Sequence, residues 1–313
     1  MLNTRRLLRE FWKQRSLQSF TLIGMAFVFV FAYLPMFGIL IAFKDYNISS
    51  GIAGIFTSKW AGLKFFLEFF NDYRFGNIVY NTLVMSFSKL VFMFPLPILL
   101  ALILNEVKNR PIKRIVQTAS YLPYFISWVI VLGFCQIFFT QTGVVNTILL
   151  KLGFTSKAIP FLTSSHLFLP LVITSASWKE TGWWAIIFLA AIAGVDPSLY
   201  EAAEIDGAGR LQRIWHITLP GIRTTITIVL ILALGNMLGG GLGGSNFEQA
   251  YLLGNPANNG ASEIIQTYVI RVGLSDGRFS YAAAAGLLQS VISVILVFTS
   301  NFVSRRVSGD GLF

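Results

Sequence analysis

The sequence predicts an all-α, polytopic membrane protein with about six transmembrane helices. Three observations predict it. Of 313 residues, 55% are hydrophobic and only 12% charged, against about 25% charged in an ordinary soluble domain. Apolar stretches that approach the roughly 20 residues needed to cross the hydrocarbon as a helix occur six times. The 24 Lys and Arg outnumber the 14 Asp and Glu to give a net charge of +10, and thirteen of the 24 cluster in short segments at the ends of those stretches. Such a surplus in an apolar chain reads as membrane orientation rather than nucleic-acid binding.

Taken in order, residues 1–19 form a basic arm with Arg5, Arg6, Arg9, Lys13 and Arg15. Leu7, Leu8, Phe11 and Trp12 are interspersed among these charges, which suits a short amphipathic helix on anionic lipid or a purely topogenic signal. The membrane domain covers residues 20–303, with spans at 20–43, 78–104, 118–139, 167–195, 219–244 and 281–303. The first is not followed by a small-residue cleavage site, so it is expected to persist as a helix. Residues 304–313 form a tail with Arg305 and Arg306.

Six spans place both termini on one side. That side also receives the connection with Lys108, Arg110, Lys113 and Arg114 and the one with Arg210 and Arg213, so the positive-inside bias makes it cytoplasmic. The three opposite connections, 45–77, 140–166 and 246–280, are long and rich in turn formers and aromatics such as Trp60, Phe65 and Tyr73. Loops of this length are more often functional than idle. One cysteine, Cys135, excludes a disulfide framework, and two histidines, His166 and His216, make a histidine metal centre improbable. No metal site is expected.

The connection between the fourth and fifth spans, about 196–218, is the most informative segment. Asp196, Pro197 and Ser198 suit a helix start, with Glu201 and Glu204 near its positive end. Gly207 and Gly209 permit a sharp turn, and Leu211, Ile214, Trp215 and Ile217 then recur at helical spacing between Arg210, Gln212 and Arg213. By physics alone this is a helix-turn-helix outside the bilayer, and an ordinary amphipathic connector fits the spacing equally well. Ala202, Ala203, Gly207 and Ala208 form a small-residue face that another backbone can approach.

Glu201-Ala202-Ala203, then Gly207, then Ile217 and Leu219-Pro220, resembles the EAA loop of type I ATP-binding-cassette importer permeases. The likeness extends to the carbohydrate-uptake, maltose-type branch and its polysaccharide or oligosaccharide subgroup. It is carried there by Trp178-Lys179 with Gly182, Phe247-Glu248-Gln249, Asn255-Pro256, Thr267-Tyr268, Arg271-Val272-Gly273-Leu274 and the stretch 282–288. Residues 80–305 carry the resemblance well; the first 75 match only in pattern, and Glu180-Thr181 departs from the subgroup's usual residues.

The resemblance implies a type I importer permease fold with a cytoplasmic coupling helix between the fourth and fifth spans. It implies that Glu201, Ala202, Ala203 and Gly207, with Leu219 and Pro220 closing the loop, dock on a separate ABC ATPase dimer. It further implies a second, homologous permease subunit, a heterodimer being favoured over two copies of this chain, and an extracytoplasmic solute-binding protein that delivers an oligosaccharide. The chain contains no GxxxxGK[ST] phosphate loop. It is therefore not expected to be the nucleotide-binding subunit; the resemblance implies a transport subunit and not an enzyme, with ATP and Mg used by the partner ATPase and no cofactor bound by this chain.

Ionisable residues within spans are functional candidates by default. Lys179 and Glu180, beside Trp178, Trp183 and Trp184, stand out, and adjacent helical residues do not share a face, so at most one of the two is expected to point into a path. Asn236, Asn246, Glu248, Gln249, Tyr268 and Gln289 add amide, carboxylate and hydroxyl groups suited to carbohydrate. Lys89 is a weaker candidate that snorkels or pairs. Lys179, Arg271 and Arg278 are the basic residues that point to an acidic, uronic-acid sugar. The alternatives are a permease for a simple sugar or glycerol-phosphate type solute, a secondary transporter, which would show intramembrane carboxylates or an internal repeat, and an integral-membrane enzyme, for which no catalytic cluster appears.

Overall fold

The computed structural model describes residues 13–308, and among these no β-strand occurs; a single antiparallel bridge joins Lys44 to Trp60. The proposed lipid-facing residues Arg5, Leu7, Leu8, Phe11 and Trp12 lie outside the described residues. Four helices are long and apolar enough to cross a membrane, and the number rises to six if each of two bent helix pairs is one span. The chain divides into two compact units.

The first unit holds residues up to Asp72 and the segment Val269–Leu288. Its long helix, Arg15–Phe43, leaves nearly all its apolar side chains exposed, as a lipid-facing span requires. A widened turn at Phe29–Tyr33 precedes Pro35, whose missing N–H and bulky ring disturb the preceding turn. The segment after this span is pinned to the start of the last helix. Tyr281 donates its hydroxyl to Asp72 Oδ2 at 2.8 Å, the Tyr46 amide donates to Ser280 Oγ at 3.0 Å, and Arg278 pairs with Glu68. Phe69 meets Tyr281 edge to face with ring centres 6.0 Å apart.

The second unit holds residues 73–268 and 289–313. Its centre is the helix Ser165–Ala193, whose buried residues include Phe168, Val172, Ala176, Ala185 and Phe188. Met85, Leu132, Phe168, Val172, Leu253 and Ile264 form one apolar core; Ala101, Leu102, Phe188, Ile222 and Val229 belong to another. Gly182 lets this helix cross Arg110–Tyr121 with almost no separation, because a side chain there would run into the Ser120 carbonyl. The helix Phe75–Glu106 turns Ile78, Thr82, Met85, Ser86, Lys89 and Met93 inward, a spacing of three and four that defines one helical face. Asn81 Nδ2 donates to the Gly260 and Glu263 carbonyls, and Thr82 Oγ1 accepts the Ile265 amide at 2.9 Å, fastening the loop after Asn246 to this helix.

Two expected spans need correction. Residues 118–139 are not one helix. Arg110–Tyr121 is an amphipathic helix with none of its residues buried, begun by Asn109 accepting the Ile112 amide and by Pro111 in its first turn. Pro123 interrupts it, and a new helix, Trp128–Phe139, starts behind Ser127 and is followed by Val144–Lys151. The candidate crossing is thus Trp128–Lys151. The helix of the fifth span, Arg223–Gly235, stops at Gly235 rather than at Gly244. Gly240, Gly241 and Gly244 adopt left-handed backbone angles of 116°, 66° and 60°, which favour glycine and break the helix. The other spans sit close to their expected positions, and the last helix runs Phe279–Ser308.

Candidate functional site

The segment after the fourth span leaves its axis sharply: Ser165–Ala193 and Pro197–Ile205 are bent by 71°, and Arg210–Gly221 and Arg223–Gly235 by 63°. Asp196 caps the first short helix, its Oδ1 accepting the Ser198 amide at 2.9 Å. Bonds from the backbone and side chain of Ser198 hold the Asp196 carboxyl below the usual carboxylate range. Gly207 takes φ +77° at the turn, and Gln212 Oε1 accepts the Gly209 amide at 2.7 Å to start the second helix.

Two further contacts bind the two short helices into one piece, and a third lies within the second. Arg213 pairs with Glu204 at 3.4 Å, Tyr200 and Thr218 share a hydroxyl–hydroxyl bond of 3.0 Å, and His216 Nδ1 lies 2.9 Å from the Gln212 carbonyl. Outward, the segment shows Glu201, Ala202 and Gly207, with Ala203 half-buried. Leu219 is half-buried and Pro220 exposed at its end. Ile205 is 87% exposed, Leu211 72% and Trp215 66%; a polar connector has no physical reason to present three such side chains to water.

The candidate path residues separate into groups. Lys179, buried, donates to the Tyr124 carbonyl at 2.7 Å and lies over the Tyr124 and Trp128 rings. Trp183 stacks on Tyr124, ring centres 4.5 Å apart and planes at 5°. Glu180 is also buried, and the two adjacent side chains reach different neighbours. Trp178 is half-exposed on the outer surface of the same helix.

Glu180 belongs to a buried polar cluster. Lys89 Nζ donates to Ser245 Oγ at 2.9 Å, within electrostatic reach of Glu180 and Glu248. Gln249 Nε2 donates to the Val172 carbonyl and to Ser175 Oγ, both at 2.9 Å; Asn246 Nδ2 donates to Ser86 Oγ at 2.9 Å. Gly243 lies directly against the Glu180 carboxylate, which would have to shift to admit a side chain there. The cluster therefore draws on the second and fourth spans and on the loop and helix after the fifth. Lys89, ranked low by sequence, is its hub, and Ser86, Ser175 and Ser245 were not singled out at all. The available signal was Lys89 itself, an ionisable residue deep in an apolar span.

The remaining candidates do not join it. Asn236 is exposed and donates to the Gly241 carbonyl at 2.9 Å, closing its own loop. Tyr268 is buried and Gln289 half-buried. The three basic residues read as sugar-facing are engaged within the chain: Lys179 as above, Arg271 with Asp276 at 3.9 Å and Arg278 with Glu68.

An exposed helix-turn-helix, its two helices joined by side-chain contacts, thus lies between two spans. Residues 93–309 match the family described as Binding-protein-dependent transport system inner membrane component. The chain belongs to that family. It is a multi-pass, membrane-embedded transport permease. Protein LplB of Bacillus subtilis (strain 168) is 45% identical over 291 residues, 93% of this chain and 88% of the relative. The polygalacturonan/rhamnogalacturonan transport system permease protein YteP of the same organism is 43% identical over 310 residues, 99% of this chain and 94% of the relative. A crystal structure of a bacterial alginate ABC transporter, in complex with alginate pentasaccharide-bound periplasmic protein, superimposes with a TM-score of 0.86 at 37% identity, covering 98% of this chain and all of that one. The likeness thus reaches the first 75 residues, where sequence pattern alone had been weak.

Proposed function

We propose that this chain is one permease subunit of an ATP-driven importer for acidic, uronic-acid oligosaccharides delivered by a solute-binding protein. One observation carries the substrate class: the chain is 43% identical to a permease named for polygalacturonan and rhamnogalacturonan and 37% identical to an alginate transporter. Polygalacturonan and alginate are both polyuronates. The acidic-sugar reading rests on those relatives rather than on Lys179, Arg271 and Arg278, which are engaged within the chain.

In this reading the basic side, with both termini, faces the cytoplasm. An ABC ATPase dimer takes up the 196–218 segment there and uses ATP and Mg; this chain binds neither. A second, related permease subunit completes the path, and the heterodimer is the favoured pairing. Closure of the ATPase dimer moves the segment as a unit, because the Arg213–Glu204 and Tyr200–Thr218 contacts hold its two helices together. The fourth span is continuous with that segment across the 71° turn, so the displacement reaches the buried cluster and shifts the population between access states.

The test is reconstitution of the complete complex with its binding protein, screened with neutral and acidic oligosaccharides for stimulation of ATP hydrolysis. Uronic-acid oligomers are expected to stimulate. Stimulation by neutral sugars alone would overturn the substrate class, and a chain from native membranes that brings no ATPase subunit would overturn the importer reading itself.

A further inference from the structure

A cleft beside Lys89 differs from the rest of the buried interior. Lys89, Glu180, Thr181, Trp184, Gly240 and Gly241 line it, together with apolar residues of the second span. Three buried polar atoms there have no hydrogen-bond partner among the described residues: Glu180 Oε2, Thr181 Oγ1 and Trp184 Nε1. Glu180 is only 2% exposed. Buried polar atoms in folded proteins are overwhelmingly satisfied, by protein or by ordered water. Lys89 adds two ammonium protons beyond the one given to Ser245 Oγ.

The wall selects its occupant by elimination. An indole N–H and an ammonium group disfavour a metal cation, and the carboxylate disfavours an anion. The room between its walls admits little more than one water-sized sphere, which excludes a sugar ring. A water molecule satisfies all the groups: it accepts from Trp184 Nε1 or Lys89 Nζ, donates to Glu180 Oε2, and exchanges a bond with Thr181 Oγ1. We propose that this cleft is a hydration site in which an internal water links Lys89 of the second span to Glu180 of the fourth. The water-mediated joint ties the two charges together without direct contact, on the helix that continues into the 196–218 segment.

The test is radiolytic hydroxyl labelling of the assembled transporter in lipid nanodiscs, mixed with 18O-water milliseconds before the X-ray pulse. A slowly exchanging internal water leaves 16O on the side chains beside it. Retained 16O is expected on Trp184 and Met93, unchanged by saturating substrate. Glu180→Gln, which keeps an oxygen acceptor, retains it; Glu180→Leu loses it severalfold. Unlabelled side chains, or 18O alone in the wild-type protein, would overturn the proposal whatever the variants do. So would loss of the 16O signal on adding substrate, because the cleft would then belong to the sugar path.

Discussion

Tyr200 and Thr218 lie eighteen residues apart in sequence, yet their hydroxyl oxygens are 3.0 Å apart. The bond joins the helix that follows the fourth span to the turn that leads into the fifth. A typical intramolecular hydrogen bond contributes about 0.5–1.5 kcal/mol. Tyr200→Phe removes it while keeping the ring. Uptake per ATP hydrolysed is expected to fall in reconstituted vesicles with membrane insertion intact, and Thr218→Val is expected to have the same effect. Equal coupling in both variants would show that the two short helices move as a unit without this bond.

Gly207 permits a clean test of backbone conformation. Its φ is +77°, and a Cβ added there meets nothing within 4 Å, so any penalty comes from the backbone and not from a clash. Left-handed angles cost an ordinary L-residue roughly 1–2 kcal/mol, and asparagine tolerates them better. Gly207→Val is therefore expected to uncouple transport from hydrolysis more than Gly207→Asn, the order being read from the uptake-to-hydrolysis ratio.

Gly182 predicts the opposite kind of failure. A methyl group there runs into the Ser120 backbone carbonyl, and a carbonyl in a helix has nowhere to move. Overpacking of this kind costs typically about 1–3 kcal/mol. Gly182→Ala is expected to lower the thermal midpoint of the purified complex by several degrees, and activity should fall in parallel with folded protein.

Gln249 is wholly buried and donates to the Val172 carbonyl and Ser175 Oγ. Gln249→Leu preserves much of the volume but leaves those acceptors facing an apolar group. An unsatisfied buried polar group costs about 1–3 kcal/mol. A destabilisation of that size is expected in denaturation of the solubilised protein, whereas Gln249→Glu adds a second carboxylate near Glu180 and is expected to be worse.

Asp196 supplies a pH dependence. Its carboxyl is held below the usual range by Ser198. A depressed folded value contributes stability that is complete above the unfolded value of about 3.9 and is lost as pH falls through the folded value. Hydrogen exchange across 197–205, taken relative to the intrinsic amide rate at each pH, should thus be flat near neutral pH and rise only in strong acid. Asp196→Ala is expected to raise it at pH 7, and Asp196→Asn, which keeps an acceptor, to change it little.

How much was legible depended on the range of the interaction. Helical spans are local: a run such as Leu167–Val195 satisfies its own backbone, so hydropathy located it within a few residues of Ser165–Ala193. The break at Pro123 is local too, yet it was missed, because apolar composition runs straight through it and masks the change in backbone. The helix-turn-helix of the 196–218 segment was readable because Asp196, Gly207 and Gln212 act on close neighbours in sequence.

The buried cluster was only half readable. Lys179 and Glu180 announced themselves by charge, but their adjacency in sequence implied nothing about their partners. Helical geometry sends Lys179 to the Tyr124 carbonyl and Glu180 towards Lys89, Ser245 and Gly243. Serines 86, 175 and 245 carry no charge and no motif, so only their neighbours give them significance.

By itself, then, the sequence determined the solvent of this protein, the position of most of its apolar helices and the helix-turn-helix of the 196–218 segment. These follow from hydropathy, charge placement and short-range backbone chemistry, all of which act along the chain. Tertiary structure alone decided that Lys89, and not Lys179, is the hub of the polar interior, and that the apparent sugar-binding cations are already engaged. The bonds from Lys89 to Ser245, from Lys179 to Tyr124 and from Arg278 to Glu68 join residues 156, 55 and 210 positions apart, which meet only when the chain packs.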